Sequence, residues 1–114
     1  MLKMYGIPNC DTIKKARNWL KDNNVDYEFH NYKKDGVPEK ELKKWVKDVG
    51  WEILLNKRGT TWRKLDDTTK DNVDEKSAIS IMLDNPSIIK RPVLDNGKTL
   101  LVGFAEENYK QLSW

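Results

Sequence analysis

The chain has 114 residues, of which 38% are hydrophobic and 34% charged, and its formal net charge is +3. This length fits one folded domain better than two full cores, so we predict a single domain over residues 1–114. The 21 basic and 18 acidic residues nearly balance, and no basic stripe is backed by aromatics, which argues against direct nucleic-acid binding. The N-terminus lacks the apolar region of a signal peptide, and no apolar run approaches membrane-spanning length. We therefore expect a cytoplasmic protein without a membrane partner.

The first helix follows Cys10, the only cysteine of the chain. Residues 2–5 read as a short strand, residues 6–9 as a turn, and residues 11–23 as a helix with Ile13, Ala16 and Leu20 on one face. A lone cysteine forms no internal disulfide, which argues against a secreted, disulfide-held domain. By position alone, Cys10 could be a buried structural residue or a reactive thiol. A helix N-terminus favours negative charge, so the reactive thiol would have a lowered pKa.

The middle of the chain reads as one strand followed by helices. Residues 25–32 alternate apolar and polar side chains, which is typical of a strand, and residues 33–36 read as a polar turn. Pro38 suits the first turn of a helix that ends at Gly50. Short helical turns are predicted at 51–55 and 62–65, with a loop at 56–61, and a longer helix at 74–84 ends before Asn85 and Pro86. The side chains expected to point inward from the two longer helices are Leu42, Trp45, Val46, Val49, Ala78, Ile79, Met82 and Leu83.

The C-terminal part reads as a hairpin and a closing helix. Residues 88–94 lead into a strand, residues 95–98 form a turn because Asn96 and Gly97 tolerate positive φ, and residues 99–102 return as the partner strand. Residues 104–112 are predicted to be helical. The first two strands should be parallel, joined by a right-handed crossover, and the last two antiparallel. The predicted fold class is therefore α/β: a thioredoxin-like, mixed four-stranded sheet with an all-helical insertion at about 37–87 between strands two and three.

Three separate blocks of the sequence carry a family resemblance: residues 5–16, residues 54–65, and residues 88–92 together with Gly103 and Phe104. They resemble the ArsC-like branch of the thioredoxin superfamily, which holds glutaredoxin-coupled arsenate reductases and the Spx transcription regulators. The chain is most similar to the small ArsC-related proteins of the YffB type, and the resemblance covers nearly all of it. Together with the strand–loop–helix context, it favours the reactive-thiol interpretation of Cys10.

The resemblance also implies a thiol chemistry and a ligand anchor. Ile13 stands where a dithiol oxidoreductase has its second cysteine, so Cys10 must use an external thiol such as glutathione or stall as a mixed disulfide. Pro92 corresponds to the cis-proline that thioredoxin folds place opposite the active cysteine, although a trans bond is the commoner X-Pro state. Arg91 would then face the pocket and hold an oxyanion, a carboxylate or glutathione. The alternative for Arg91 is a surface ion pair.

Several neighbours of Cys10 admit two interpretations each. Thr12 could donate its hydroxyl to the thiolate or a bound anion, or only cap the helix. Lys14, which takes the place of a basic residue in the family's arsenate reductases, could reach the pocket or be solvated. Asp11 would raise the thiol pKa if its carboxylate were near, or it could point away. His30, the only histidine, is expected to be structural or solvent-facing, and one cysteine with one histidine supports no metal site.

The sequence departs from the family's arsenate reductases, which use three arginines around the cysteine. Arg91 matches one of them. The position of the first corresponds to Asn56, with Arg58 two residues later as a substitute, and the third falls near Val102. Arsenate reduction is therefore doubtful, and the basic block at residues 57–63 suggests a different ligand.

We therefore expect an ArsC-related thiol reductase that uses Cys10 as its single nucleophile, with Arg91, Pro92, Thr12, Asp11, Arg58 and Lys14 binding substrate or glutathione. No bound cofactor is expected, glutathione is the expected co-substrate, glutaredoxin is a further candidate partner, and a monomer is favoured. The alternative is an Spx-like transcription regulator that binds RNA polymerase without catalysis, and the third is an arsenate reductase. A lowered thiol pKa would favour the enzyme over the docking protein.

Overall fold

The structure, a computed structural model, describes residues 2–8 and 10–111. The chain divides into two compact units: Met1–Asp35 together with Arg91–Trp114, and Gly36–Lys90. The prediction of one domain with an insertion at about 37–87 stays a prediction. Within the described ranges, no helix is both long enough and apolar enough to cross a membrane.

The first unit contains a four-stranded sheet in the order β2-β1-β3-β4. Strands β1 and β2 are parallel, with Lys3 paired to Glu28, whereas β1–β3 and β3–β4 are antiparallel. This confirms the predicted parallel first pair and the antiparallel hairpin. The elements of this unit are β1 (Lys3–Gly6), α1 (Asp11–Asp22), β2 (Glu28–Asn31), α2 (Tyr32–Asp35), β3 (Val93–Asp95), β4 (Leu100–Val102) and α8 (Glu106–Lys110).

The core of this unit forms between α1 and one face of the sheet. The predicted inward face of α1 is fully buried, because its apolar residues recur at helical spacing. Trp19 and Phe104 place their rings edge-on to Tyr109, with ring centroids 5.4 and 4.9 Å away, so α8 packs against this same core. The buried core residues are Leu2, Met4, Ile13, Ala16, Leu20, Leu94 and Tyr109.

Gly6 lets α1 approach the end of β1 closely. A Cβ at Gly6 would lie 2.5 Å from Cδ1 of Ile13 and 3.9 Å from Cβ of Arg91. The first distance is shorter than real contacts allow, so any larger residue at position 6 would displace Ile13. The end of β1, the start of α1 and Arg91 therefore meet at one place in the first unit.

The second unit is all-helical apart from one isolated β-bridge, between Leu55 and Ile89. Gly50, with φ of +89°, ends α3 and precedes α4, a conformation that glycine adopts without strain. The elements are α3 (Glu39–Val49), α4 (Trp51–Leu54), α5 (Thr60–Arg63), α6 (Asp67–Asp71), α7 (Glu75–Asp84) and a 3₁₀ turn (Pro86–Ile88). Its buried side chains are Leu42, Trp45, Val46, Leu54, Leu55, Ala78, Ile81, Met82, Ile88 and Ile89.

Three predictions about element type or extent were wrong in detail. Residues 33–36, predicted as a turn, lie mostly within α2, which begins at Tyr32. The turn predicted at 62–65 begins earlier, as α5. Helix α6 was not predicted, because its residues are all polar; the Asp66 carboxylate starts it by accepting the backbone N–H of Thr69 at 2.7 Å.

Burial and strand limits also differ from the predictions. On α7, Ala78, Ile81 and Met82 are buried, whereas Ile79 and Leu83 are only half-buried; Val49 on α3 is half-buried as well. The buried residues of α7 follow the i, i+3, i+4 spacing of one helix face, which is rotated from the predicted face. Residues 88–94 were predicted to lead into a strand, but Ile88 ends a 3₁₀ turn and β3 begins at Val93. The predicted closing helix is shorter, and its predicted last residue, Leu112, lies outside the described residues.

Candidate active site

Cys10 is the N-cap residue of α1. Its backbone is extended, with φ −132° and ψ 131°, and its carbonyl accepts the first helical hydrogen bond from Lys14 N–H at 3.0 Å. The side chain is partly exposed and packs against the edge of the α1 core. No side chain caps this helix, so the N–H groups of its first turn remain available to the sulfur.

The surroundings of Cys10 lower the pKa of its thiol. Burial alone raises the pKa, but the backbone N–H groups of Ile13 and Thr12 at the helix N-terminus lower it. The positive charge of Arg91 and the Thr12 hydroxyl lower it further, and the net direction is downward. These nearby donors and the Arg91 charge favour the thiolate over the thiol, as expected for a cysteine at a helix N-terminus.

Arg91 lies near enough to this thiol for its positive charge to lower the thiol pKa, and Pro92 follows it in the chain. The Arg91–Pro92 peptide bond is cis, as the resemblance implied. Pro92 is buried, and its carbonyl accepts the N–H of Gly103 at 2.8 Å, which ties it to the end of β4. Arg91 is half-buried and, within the described ranges, forms no ion pair. The alternative of a surface ion pair is therefore not observed within these ranges, and the role of Arg91 in holding an anionic ligand stays a prediction.

Thr12 joins this group, whereas Asp11 and Lys14 do not contribute to the shift of the thiol pKa. Both side chains are exposed at the start of α1. The possibility that Asp11 raises the pKa of Cys10 is therefore not supported, and Lys14 corresponds to the solvated alternative. The structure brings Cys10, Thr12 and Arg91 together, and the roles expected for them in catalysis and ligand binding stay predictions.

Tyr32 is a neighbour of Arg91 that sequence reasoning missed. It is only 2% exposed, and within the described part of the chain its hydroxyl has no hydrogen-bond partner. Burial raises its pKa far above the ordinary range; Tyr5 raises it further, and Arg91 opposes the shift. His30 contacts the rings of Tyr5 and Tyr32, with centroids 5.2 and 6.0 Å away. The alternation of residues 25–32 places Tyr32 on the same side as the polar residues Asp26, Glu28 and His30, so it carried no signal for this burial.

The residues aligned with the missing arginines carry no charge. Asn56 belongs to the second unit, where its side-chain carbonyl accepts the backbone N–H of Arg58 at 3.0 Å. Arg58 belongs to that unit as well, and its side chain is exposed. Val102 pairs with Val93 in the antiparallel ladder of the first unit. Among the described residues, no cluster of three or more histidine, cysteine or carboxylate side chains could hold a metal ion.

The chain is similar to known proteins over nearly its whole length. The solved structure described as YffB protein has a TM-score of 0.93 and 48% identity, covering 96% of both chains. An arsenate reductase (ArsC) related protein from Brucella melitensis has a TM-score of 0.79 and 50% identity, covering 96% of this chain and 91% of the other. The global transcriptional regulator Spx of Staphylococcus aureus is more distant, at 26% identity over 97% of this chain and 86% of its own length.

These likenesses confirm the predicted fold, a thioredoxin-like mixed four-stranded sheet with helices as in ArsC structures. They also agree with the resemblance carried by the three sequence blocks, which are residues 5–16, residues 54–65, and residues 88–92 together with Gly103 and Phe104. The profile of the ArsC family matches residues 5–112. The chain therefore belongs to the ArsC family.

Proposed function

We propose that the chain is a glutathione-dependent thiol reductase that uses Cys10 as its only nucleophile. The observation that carries the proposal is the thiol at the N-cap of α1, where the N–H groups of Thr12 and Ile13 and the charge of Arg91 lower its pKa. A lowered pKa increases the thiolate fraction at neutral pH, and the thiolate is the attacking species. Membership of the ArsC family and the likeness to an arsenate reductase related protein support an oxidoreductase role.

The chemistry is two consecutive thiol–disulfide exchanges. The Cys10 thiolate attacks one sulfur of a mixed disulfide between substrate and glutathione; the old S–S bond breaks, and the substrate leaves as a thiolate that takes a proton from water. The Cys10–glutathione disulfide is then attacked by the thiolate of a second glutathione, which releases oxidised glutathione and restores the Cys10 thiolate. The net reaction converts the mixed disulfide and one glutathione thiol into the substrate thiol and oxidised glutathione, so one protein cysteine suffices.

Arg91 and Thr12 have separate tasks in this scheme. Arg91 carries a planar guanidinium that can hold a carboxylate of glutathione through paired hydrogen bonds. The Thr12 hydroxyl stabilises the thiolate as it leaves the mixed disulfide. Asp11, Lys14 and Arg58 stay candidates for weaker contacts with the ligand.

Intact-mass analysis after incubation with oxidised glutathione tests the proposal directly. The native chain should gain one glutathione adduct, which reduced glutathione removes, and Cys10→Ser should gain none. Turnover of a glutathione mixed disulfide, followed with glutathione reductase and NADPH, should then depend on reduced glutathione. Equal turnover with a reducing partner protein and no glutathione would show that glutathione is not the reductant.

The Spx relationship favours one alternative, a docking protein that binds RNA polymerase without catalysis. Such a protein has no need for a thiolate, so the lowered pKa of Cys10 supports the enzyme instead. Purified RNA polymerase and the chain, mixed at micromolar concentration and separated by size, decide between the two. Co-elution that survives Cys10→Ser, together with absent disulfide turnover, would support the docking role.

Arsenate should be a poor substrate, because Asn56 and Val102 stand where anion-binding arginines are expected. Each missing charge-assisted contact costs on the order of 1.5–3 kcal/mol, or roughly tenfold or more in rate. Arsenate-dependent oxidation of glutathione in the presence of glutaredoxin, measured beside an authentic family reductase, checks this. Comparable rates would mean that other basic residues, such as Arg58 and Lys14, complete the pocket.

A further inference from the structure

The segment that links α4 to α5 carries exposed basic side chains next to two tryptophans. The Lys57 ammonium lies 5.4 Å from the ring centroids of both Trp51 and Trp62, so one cation contacts two indoles. Both indoles remain half-buried, and the side chains of Lys57, Arg58 and Arg63 are exposed. We call these five residues the basic–aromatic patch. It lies wholly in the second unit, outside the group formed by Cys10, Thr12 and Arg91.

The charge of the patch is not balanced by its own segment. Residues 51–65 contain four basic side chains and one acidic side chain, and the rest of the chain contains seventeen of each. The formal charge of +3 therefore resides in these fifteen residues. Within the ranges that the structure describes, none of the four basic side chains forms an ion pair. Four cations without an ion pair among the described residues leave this surface complementary to an acidic ligand.

The backbone beneath the patch is held in place by hydrogen bonds. The Asn56 N–H donates to the Ile88 carbonyl at 2.8 Å, and the Lys90 N–H donates to the Leu54 carbonyl at 2.8 Å. The hydroxyls of Thr61 and Ser87 lie 2.8 Å apart and fix the start of α5 to the 3₁₀ turn. A surface ordered before binding loses less conformational entropy when a partner arrives. Tryptophan and arginine are also the residue types that contribute most at protein interfaces.

The surroundings favour a protein partner over nucleic acid. Ile53, on the same short helix as Trp51, is 50% exposed, so α4 presents an apolar side chain to solvent. Residues 66–75 carry five carboxylates, and α6 lies close to α5, since Lys70 Nζ donates to the Arg63 carbonyl at 3.0 Å. An extended phosphate backbone crossing the patch would meet these carboxylates, whereas a short acidic peptide need not.

We propose that the basic–aromatic patch is a docking site for an acidic protein segment that also carries an apolar side chain. Carboxylates of the partner pair with Lys57, Arg58 and Arg63, and its apolar side chain packs on the exposed faces of Trp51 and Trp62. This site does not depend on the reactivity of Cys10, so its test is separate from that of the proposed function.

The probe is a fluorescein-labelled dodecapeptide of glutamate, leucine and glycine, titrated with the isotope-labelled full chain at about 0.15 M ionic strength, where the Debye length is about 8 Å. We expect saturable binding by anisotropy and selective shifts of the Trp51 and Trp62 indole N–H signals. Replacing the glutamates by glutamine should abolish binding, and replacing the leucines by serine should weaken it. The double variant Lys57→Glu/Arg63→Glu should bind at least about tenfold more weakly, because two attractions become repulsions.

The matched control is Lys44→Glu/Lys47→Glu on α3, which changes the net charge equally at two exposed lysines of the same unit. It should bind within about twofold of the native chain, since surface charges away from the contact are screened. The thermal unfolding midpoint of both variants shows that loss of binding is not loss of fold. Three results overturn the proposal: no saturable binding below millimolar peptide, equal weakening by the control, or tighter binding of a single-stranded DNA dodecamer to the same indole signals.

Discussion

The helix N-termini at Cys10 and Asp74 both have backbone N–H groups free in their first turn, and the two helices use these groups differently. At the start of α7, the Asp74 carboxylate accepts the N–H of Ser77 at 2.8 Å, and the Ser77 hydroxyl accepts the N–H of Asp74 at 2.9 Å, which completes a capping box. At the start of α1, no such box forms, and the N–H groups of Thr12 and Ile13 act on the Cys10 sulfur instead. One terminus stabilises a helix, and the other stabilises a thiolate.

Both acidic groups have lowered pKa values, but the consequences differ with pH. The N–H and hydroxyl of Ser77 lower the pKa of Asp74, which is already ionised at neutral pH, so its stabilisation is lost only as the pH falls through the lowered value in acid. For Cys10, burial raises the pKa and the helix N–H groups and Arg91 lower it more. The contribution of Cys10 to the stability of the folded chain is complete above the ordinary thiol pKa of about 8.5. It is lost as the pH falls through the lowered pKa of the folded state.

The largest expected effect is that of Cys10→Ser on disulfide chemistry. Because the chain has no second cysteine, glutathione adduct formation and disulfide turnover should both fall to background. Intact mass and the coupled assay measure the two losses. Asp74→Ala is the comparison at the other helix N-terminus, and it should keep both activities at the native level. Residual turnover in Cys10→Ser would contradict the assignment of the nucleophile.

The next largest effect is that of Arg91→Ala. Loss of its charge should raise the pKa of Cys10 toward the ordinary value and weaken glutathione binding by about tenfold or more, as for one charge-assisted hydrogen bond. Arg91→Lys should recover part of the binding, since lysine keeps the charge without the planar fork. Calorimetric titration measures the affinity, with Lys98→Ala, an exposed cation in the hairpin turn, as control. Unchanged affinity in Arg91→Ala would reduce Arg91 to a surface charge.

A smaller effect is expected for Thr12→Val. This change keeps the side-chain shape and removes the hydroxyl that donates to the sulfur, while the backbone N–H groups remain. The inflection of iodoacetamide alkylation against pH should move upward, by less than in Arg91→Ala. In the native chain this inflection should lie below about 8.5. An inflection at or above that value in the native chain would show that the helix N-terminus does not activate Cys10.

The smallest expected effects concern stability and test whether the two N-caps are interchangeable. Serine is a good N-cap, and good caps exceed poor ones by about 0.5–2 kcal/mol, so Cys10→Ser should be at least as stable as the native chain at pH 6. As the pH rises toward 8.5, the free energy of unfolding of the native chain should increase relative to that of the variant. Only the native chain has a thiol that ionises in this pH range. Asp74→Ala should lower the unfolding midpoint at both pH values. Urea unfolding at pH 6 and pH 8.5 measures the stability of the native chain, Cys10→Ser and Asp74→Ala. A constant difference between the native chain and Cys10→Ser would contradict the linkage.

Local sequence signals were enough for much of the fold and for the position of Cys10 at a helix N-terminus. The apolar spacing of Ile13, Ala16 and Leu20 determined α1 and its buried face, and Asn96 with Gly97 determined the hairpin turn. The position of Cys10 before that helix required only the strand–loop–helix pattern. These features depend on residues near each other in the sequence, so periodicity and turn chemistry suffice.

The tertiary structure decided what distant residues do together. Arg91 acts on a thiol eighty-one positions away, and Tyr32 is buried with Arg91 near its hydroxyl; neither contact has a local signal. The contact of Lys57 with both Trp51 and Trp62 likewise depends on how α4 and α5 fold back on the 3₁₀ turn. Sequence patterns report which side of an element is apolar, whereas pKa shifts and surface clusters depend on distances across the fold.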